Sequence, residues 1–198
     1  MLYRTTILAS AFLANLVLGL DAPIPGYGVE EIQWEVQAFP DGPMMNITGS
    51  LEQVRSELIK INPNYDDFVS LKVEHDVDAR SLEKRFGPVC GGGGYGWGPA
   101  FTDAILTGIL YLRGVSGRPT QGPGPGNCGR VSCSENSAIW WCNDNRFTFS
   151  LPGFNTIADC AQVLVDACNG SNGAGVLSVV GQNFNGDNWN CIVRGDSC

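Results

Sequence analysis

The sequence predicts an α+β fold: a disulfide-rich α/β sandwich, with an antiparallel sheet and two helices, preceded by a small β-α-β pro-domain. Three observations point there. All eight cysteines fall between Cys90 and Cys198, the pattern of a small secreted scaffold. Apolar residues recur with helical spacing in some stretches and alternate in others. Of the 198 residues 43% are hydrophobic and only 16% charged, which excludes a disordered chain. A net charge of −8 removes the clustered Lys and Arg that a nucleic-acid backbone requires.

Residues 1–19 read as a signal peptide. Arg4 gives the positive start, Ile7 to Leu18 the short apolar run, and Val17 with Gly19 the small pair before a cut after Gly19. The run is too short to span about 30 Å of hydrocarbon, so no membrane anchor is expected. The chain is expected to be secreted, extracellular and oxidised.

Residues 20–85 form an acidic pro-domain with 13 Asp and Glu against 6 Lys and Arg. Ile32, Trp34, Val36 and Ala38 alternate with polar residues, giving a half-buried strand. Met45 and Ile47 mark a second, short one. Ser50 with Gln53 forms a capping box, Leu51, Val54, Leu58 and Ile61 follow at helical spacing, and Pro63 stops the helix. Val69, Leu71 and Val73 alternate and predict a last strand. A unit this small buries little surface alone, so it reads either as a folding chaperone or inhibitor, or as a solubilising leader. It ends at Lys84-Arg85, where the cysteine and charge boundaries coincide. The pair resembles the sites cut by kexin-type proteases of the fungal secretory pathway.

Residues 86–198, the mature domain, hold 7 acids against 5 Arg, with no Lys and no His. Cys90, Cys128, Cys133, Cys142, Cys160, Cys168, Cys191 and Cys198 imply four disulfides, with 105 formal pairings open. Zinc is a poor alternative, since no Cys-x-x-Cys pair and no His is present; no metal and no cofactor are expected. The glycine run 91–98, carrying Tyr95 and Trp97, lacks the Lys-Ser or Lys-Thr of a phosphate loop and reads as a flexible arm. Residues 99–112 predict a helix on Phe101, Ile105, Ile109 and Leu112. Residues 113–127 predict a loop that is neither helix nor central strand, because of the Gly-Pro-Gly-Pro-Gly at 122–126. Strands follow at 130–132 and 138–142, joined by Glu135-Asn136. Asn155 caps a helix over 156–168, and strands at 175–180 and 188–193 flank the turn-rich 183–187.

The chemistry available is narrow. Without His, Lys or a free thiol, acid–base work would fall to carboxylates. Asp103, Glu135 and Asp144 are the candidates for a small hydrolase, yet Asp103 suits a first helical turn and the other two suit turns. Catalysis is not expected. Trp97, Trp140, Trp141 and Trp189 are dense for this length, and are the candidate contacts for a sugar or a protein partner. Trp140 and Trp141 must face opposite sides of a strand, so one is core and the other a contact. Arg194-Gly195-Asp196 reads as a tail turn. Asn46 and Asn169 begin glycosylation sequons.

At Gly126-Asn127-Cys128-Gly129-Arg130-Val131-Ser132-Cys133 and Ser137-Ala138-Ile139-Trp140-Trp141-Cys142-Asn143-Asp144-Asn145, the sequence resembles a group of secreted cysteine-rich proteins of filamentous fungi. Ile157-Ala158-Asp159, Gly181-Gln182, Asn188-Trp189-Asn190, Asp196-Ser197-Cys198 and Asn62-Pro63-Asn64-Tyr65 extend the likeness. More distantly, a Cys-bearing helix, a glycine-rich turn and a last strand ending in Cys are similar to the smut-fungus killer toxin and effector family. The resemblance implies an α/β sandwich that inhibits competitors or plant growth. An important Lys of that family has no counterpart after residue 85, so no functional residue carries over. The expectation is a monomeric killer-toxin-like or effector-like protein that binds an extracellular protein or glycan target without catalysis. A carbohydrate-binding wall protein is the second reading, and a small hydrolase the third.

Overall fold

A computed structural model describes residues 19–76, 87–171 and 175–198, with the backbone alone over 71–76. The expected signal peptide up to Leu18 and the dibasic pair Lys84-Arg85 lie outside the described residues.

The chain begins with β1 (Gly28–Val29), β2 (Gln33–Gln37) and β3 (Met44–Thr48), then two helices, α1 (Leu51–Ile61) and α2 (Tyr65–Asp76). After the boundary come β4 (Val89–Cys90), β5 (Ala100–Phe101), α3 (Thr102–Gly114), β6 (Arg118–Gln121), β7 (Asn127–Ser134), β8 (Ser137–Asn143) and β9 (Phe149–Ser150). The chain closes with α4 (Phe154–Cys168), β10 (Asn169–Ser171), β11 (Leu177–Val179), β12 (Gly181–Asn185) and β13 (Trp189–Gly195). The fold is mixed α and β, with four helices and four disulfides among the described residues.

Three sheets organise these strands. The largest runs β1-β7-β8-β13-β12-β4. It is antiparallel except at its edge, where β1 pairs parallel with β7. A second sheet, β3-β2-β6-β9, joins two strands from each side of the boundary, and a small third sheet runs β10-β11-β5. Glu135 and Asn136 both hold positive φ in the turn between β7 and β8, the conformation of a tight two-residue hairpin.

Both faces of the main sheet are covered. On one side Trp141, Ile139, Val131 and Val193 pack with Ile105, Ile109 and Leu112 of α3 and Ile157, Ala161 and Leu164 of α4. On the other, Trp140, Ile192 and the Cys128–Cys142 disulfide pack with Trp97 and Ile24. The remaining bridges are Cys90–Cys168, Cys133–Cys198 and Cys160–Cys191. The last ties α4 to the central strand β13.

Several expectations need correction. The stretch around Val69 is not a strand but part of α2, so the N-terminal unit is β-β-β-α-α rather than β-α-β. Tyr65, Phe68 and Val69 stand at helical spacing, and Asp66 and Asp67 favour its first turn. The residues expected to loop at 113–127 include β6, an interior strand despite Pro119. Pro119 keeps the usable half of its backbone: its carbonyl accepts from the Leu151 N–H at 3.1 Å. The turn-rich 183–187 begins inside β12, where Asn183 is buried. The helix expected over 156–168 with an Asn155 cap begins two residues earlier, at Phe154, after a Gly153 cap.

Candidate functional site

The site that stands out is the seam between residues 19–76 and the cysteine-bearing remainder. The N-terminal segment folds partly on itself and partly on the remainder. Its strand β2 pairs on one edge with β3 and on the other with β6, placing Trp34 opposite Pro119 and Glu35 opposite Arg118. The Trp34 indole stacks on Phe154 of α4, with ring centroids 4.4 Å apart. Ile32, Val36, Leu51, Val54, Leu58, Tyr65 and Val69 are buried in the same core as α3, α4 and the sheet.

The carboxylate hydrogen bonds across the seam have one sense. Carboxylates of the acidic segment accept from donors of the cysteine-rich part. Glu52 Oε1 accepts from the Ser132 hydroxyl and the Cys133 N–H, each at 3.0 Å. They lie beside the irregularity in β7 between Arg130 and Ser132. Past Cys128 the β1 edge of β7 has no strand beside it, and Glu52 supplies an acceptor there. Glu30 accepts from the Asn127 side-chain amide at 2.6 Å, Glu35 from Arg118 at 3.3 Å, and Asp66 from the Tyr111 hydroxyl at 3.1 Å.

Around the last of these contacts a cleft of about 400 Å³ opens between α1, α2, α3 and β7, lined by Glu52, Arg55, Asp66, Thr107, Tyr111 and Ser132 among others. Arg55 donates to Asp66 and lies over the Tyr111 ring, 5.6 Å from its centroid. The Arg55 hydrogen bond holds the Asp66 carboxyl below its usual range. Burial first, then repulsion between the Tyr111 phenolate and both the Tyr65 phenolate and the Asp66 carboxylate, push Tyr111 upward. Burial also pushes Tyr65 up to about 12. The cluster is therefore a cation–carboxylate–phenol chain joined by hydrogen bonds.

The tryptophans expected at the surface are all interior. Trp140 and Trp141 face opposite sides of β8, as alternation demands, but both are fully buried because each face of the sheet is covered. Trp97 donates to the Pro23 carbonyl at 2.6 Å and stacks with Tyr95, so the glycine run is pinned. Trp189 is buried with α3 and α4. None of these four rings is open to a sugar in the described chain. The large exposed aromatics are others, including Phe147, 60% exposed, and Phe101.

Among the carboxylates, Asp103 sits exposed in the first turn of α3. Glu135 and Asp144 stand at opposite ends of β8, about 20 Å apart at the rise of a strand, too far for a glycosidase pair. Asp144 instead accepts from buried Asn190 at 2.8 Å. Asn143 and Asn145 complete that knot, donating to the Gly122, Phe147 and Asp187 carbonyls. Asp196 of the Arg-Gly-Asp triplet is held inward by Trp140 Nε1 and Arg194, each at 3.0 Å. Asn46 and Asn169 are exposed.

No family model, curated protein or solved structure matches the chain. Site assignment therefore rests on geometry alone. Glu52 and Phe154 are residues that the sequence reading passed over, and Trp34 it placed only on a half-buried strand. The available signal was the acidity of residues 20–85, which are complementary to donors in the other half. Among the described residues no helix is long and apolar enough to cross a membrane.

Proposed function

We propose that this chain is the precursor of a secreted cysteine-rich protein of the killer-toxin or effector type. It acts by binding an extracellular or cell-surface target of a competitor or host, without catalysis. In this reading residues 1–19 are removed on export and a kexin-type protease cuts after Arg85. Residues 86–198 are then a disulfide-locked α/β sandwich. The observation that carries the reading is the confinement of all four disulfides to residues 90–198, with the dibasic pair just outside. Such a framework presents a rigid surface at small entropic cost.

With the tryptophans interior, the contact residue moves to Phe147. Its ring projects from the β8–β9 connection, its backbone carbonyl is fixed by buried Asn143 at 2.9 Å, and Phe149 lies edge-on beside it. A rigid exposed aromatic is a common interface anchor. The test is growth inhibition of fungi and cell death in plant tissue, applied to the secreted protein. Phe147→Ala should abolish the effect with the fold intact, whereas Asp103→Asn and Glu135→Gln should leave it unchanged. Loss of effect in either carboxylate variant, with target binding retained, would overturn the non-enzymatic reading. Retention on chitin or a glycan array, abolished by Phe147→Ala, would replace the protein target with a carbohydrate.

A further inference from the structure

We infer that residues 20–85 do not leave after the cut but stay as a second chain, held to the disulfide domain without any covalent link. This rests on the processing reading above. The holding surface is the seam.

Three features of that surface belong together. First, no described disulfide reaches the N-terminal segment, so the retention must be non-covalent. Second, the segment is part of the core. Ile32, Trp34, Val36, Leu51, Val54, Leu58, Tyr65 and Val69 are each no more than 4% exposed. Departure would uncover the face of Phe154 that Trp34 stacks on and strip β6 of the strand it pairs with along Arg118–Thr120. An exposed strand edge beside an apolar floor is an aggregation site, and each large side chain returned to water costs heavily. Third, the disulfide domain is hollowed where the segment approaches. The three atoms nearest to a Cβ on Gly114 would all belong to Val69, its carbonyl oxygen at 2.6 Å among them. A Cβ on Gly129 would press on Ile32 and on the Glu30 carbonyl at 3.0 Å, and also on the Gln121 side chain of the disulfide domain at 2.7 Å. Neither glycine has a positive φ, so its own backbone does not call for glycine. The missing side chains make room for the segment. An acidic leader serving only solubility needs no such fit.

The occupant of this surface is therefore the chain's own N-terminal segment, by strand addition on β6 and helix docking on α3. The test starts from the secreted chain, treated with a kexin-type protease and run on size exclusion at neutral pH, with masses read across the peak. A parallel variant carries a different sequence-specific protease site in place of Lys84-Arg85, so that a cut is obtained either way. Both chains should elute together after either cut, and separate in concentrated guanidinium without reductant. An N-terminal chain that elutes alone from the cut wild type overturns the inference while leaving processing intact. A native pair that resists the kexin-type protease, with both chains retained after the engineered cut, removes the processing reading and upholds the seam. Gly114→Ala, whose added methyl presses first on Val69, should lower the retained N-terminal chain about tenfold, with the four disulfides unchanged. Unchanged retention in both Gly114→Ala and the milder Glu52→Gln would overturn the seam as the holding surface.

Discussion

At the scale of single residues, Glu52 shows how one carboxylate joins two parts of a chain. Its Oε1 satisfies the Cys133 N–H at the irregular point of β7 while Oε2 takes the Ser50 hydroxyl at 2.7 Å, and the Ser50 cap is closed by Gln53. Glu52→Ala leaves a part-buried donor without an acceptor, and should cost about 1–3 kcal/mol in denaturant unfolding. Glu52→Gln keeps an acceptor oxygen and should cost less than half as much. Equal losses would show that the charge rather than the acceptor matters. Asp66 carries the acid response. Its folded carboxyl titrates below the ordinary value because Arg55 hydrogen-bonds to it. It therefore contributes stability that is fully present above about pH 4 and lost as pH falls through the lowered folded value. Acid unfolding followed by fluorescence should begin below about pH 4, with a shallower slope in Asp66→Asn. An identical acid limb in that variant would exclude Asp66 as the source.

At the scale of elements, what could be read from sequence was whatever a local stretch decides for itself. The alternation over 32–38, the capping box at Ser50, the hairpin at Glu135-Asn136 and the helix ending at Cys168 depend on neighbours within a turn or two, and all are present. The misreadings share one cause. Val69 and Val73 suit a strand or a helix equally, and docking on α3 selects the helix. Pro119 argues against an interior strand until β2 arrives from more than eighty residues away. Trp140 looks like a surface contact until Ile24 and Trp97 cover its face. The bridges differ in access in the same way. Cys90 is exposed and Cys168 half-buried, whereas Cys128 and Cys142 are completely enclosed. Attack by a thiolate needs access to sulfur. Mild reductant followed by alkylation and mass mapping should thus open Cys90–Cys168 before Cys128–Cys142. The reverse order would mean that global opening precedes reduction.

At the scale of the whole molecule, one core spans both segments while all the cross-links lie in one of them. The uncut chain should consequently lose Trp fluorescence and far-ultraviolet dichroism at one shared midpoint; separate midpoints would make the segment an independent unit. The same placement of cross-links has a mechanical side. From Cys90 the shortest covalent route to Cys198 crosses to Cys168, returns to Cys160, crosses to Cys191 and runs to the end. That is only about fifteen residues of backbone, or roughly 50 Å when taut. A molecule stretched between residue 19 and Cys198 would draw most of its contour length from the first seventy residues or so, roughly 240 Å. In a force spectrometer the oxidised protein would behave as a tether ending in a nearly inextensible bead, and reductant would convert the bead into further tether.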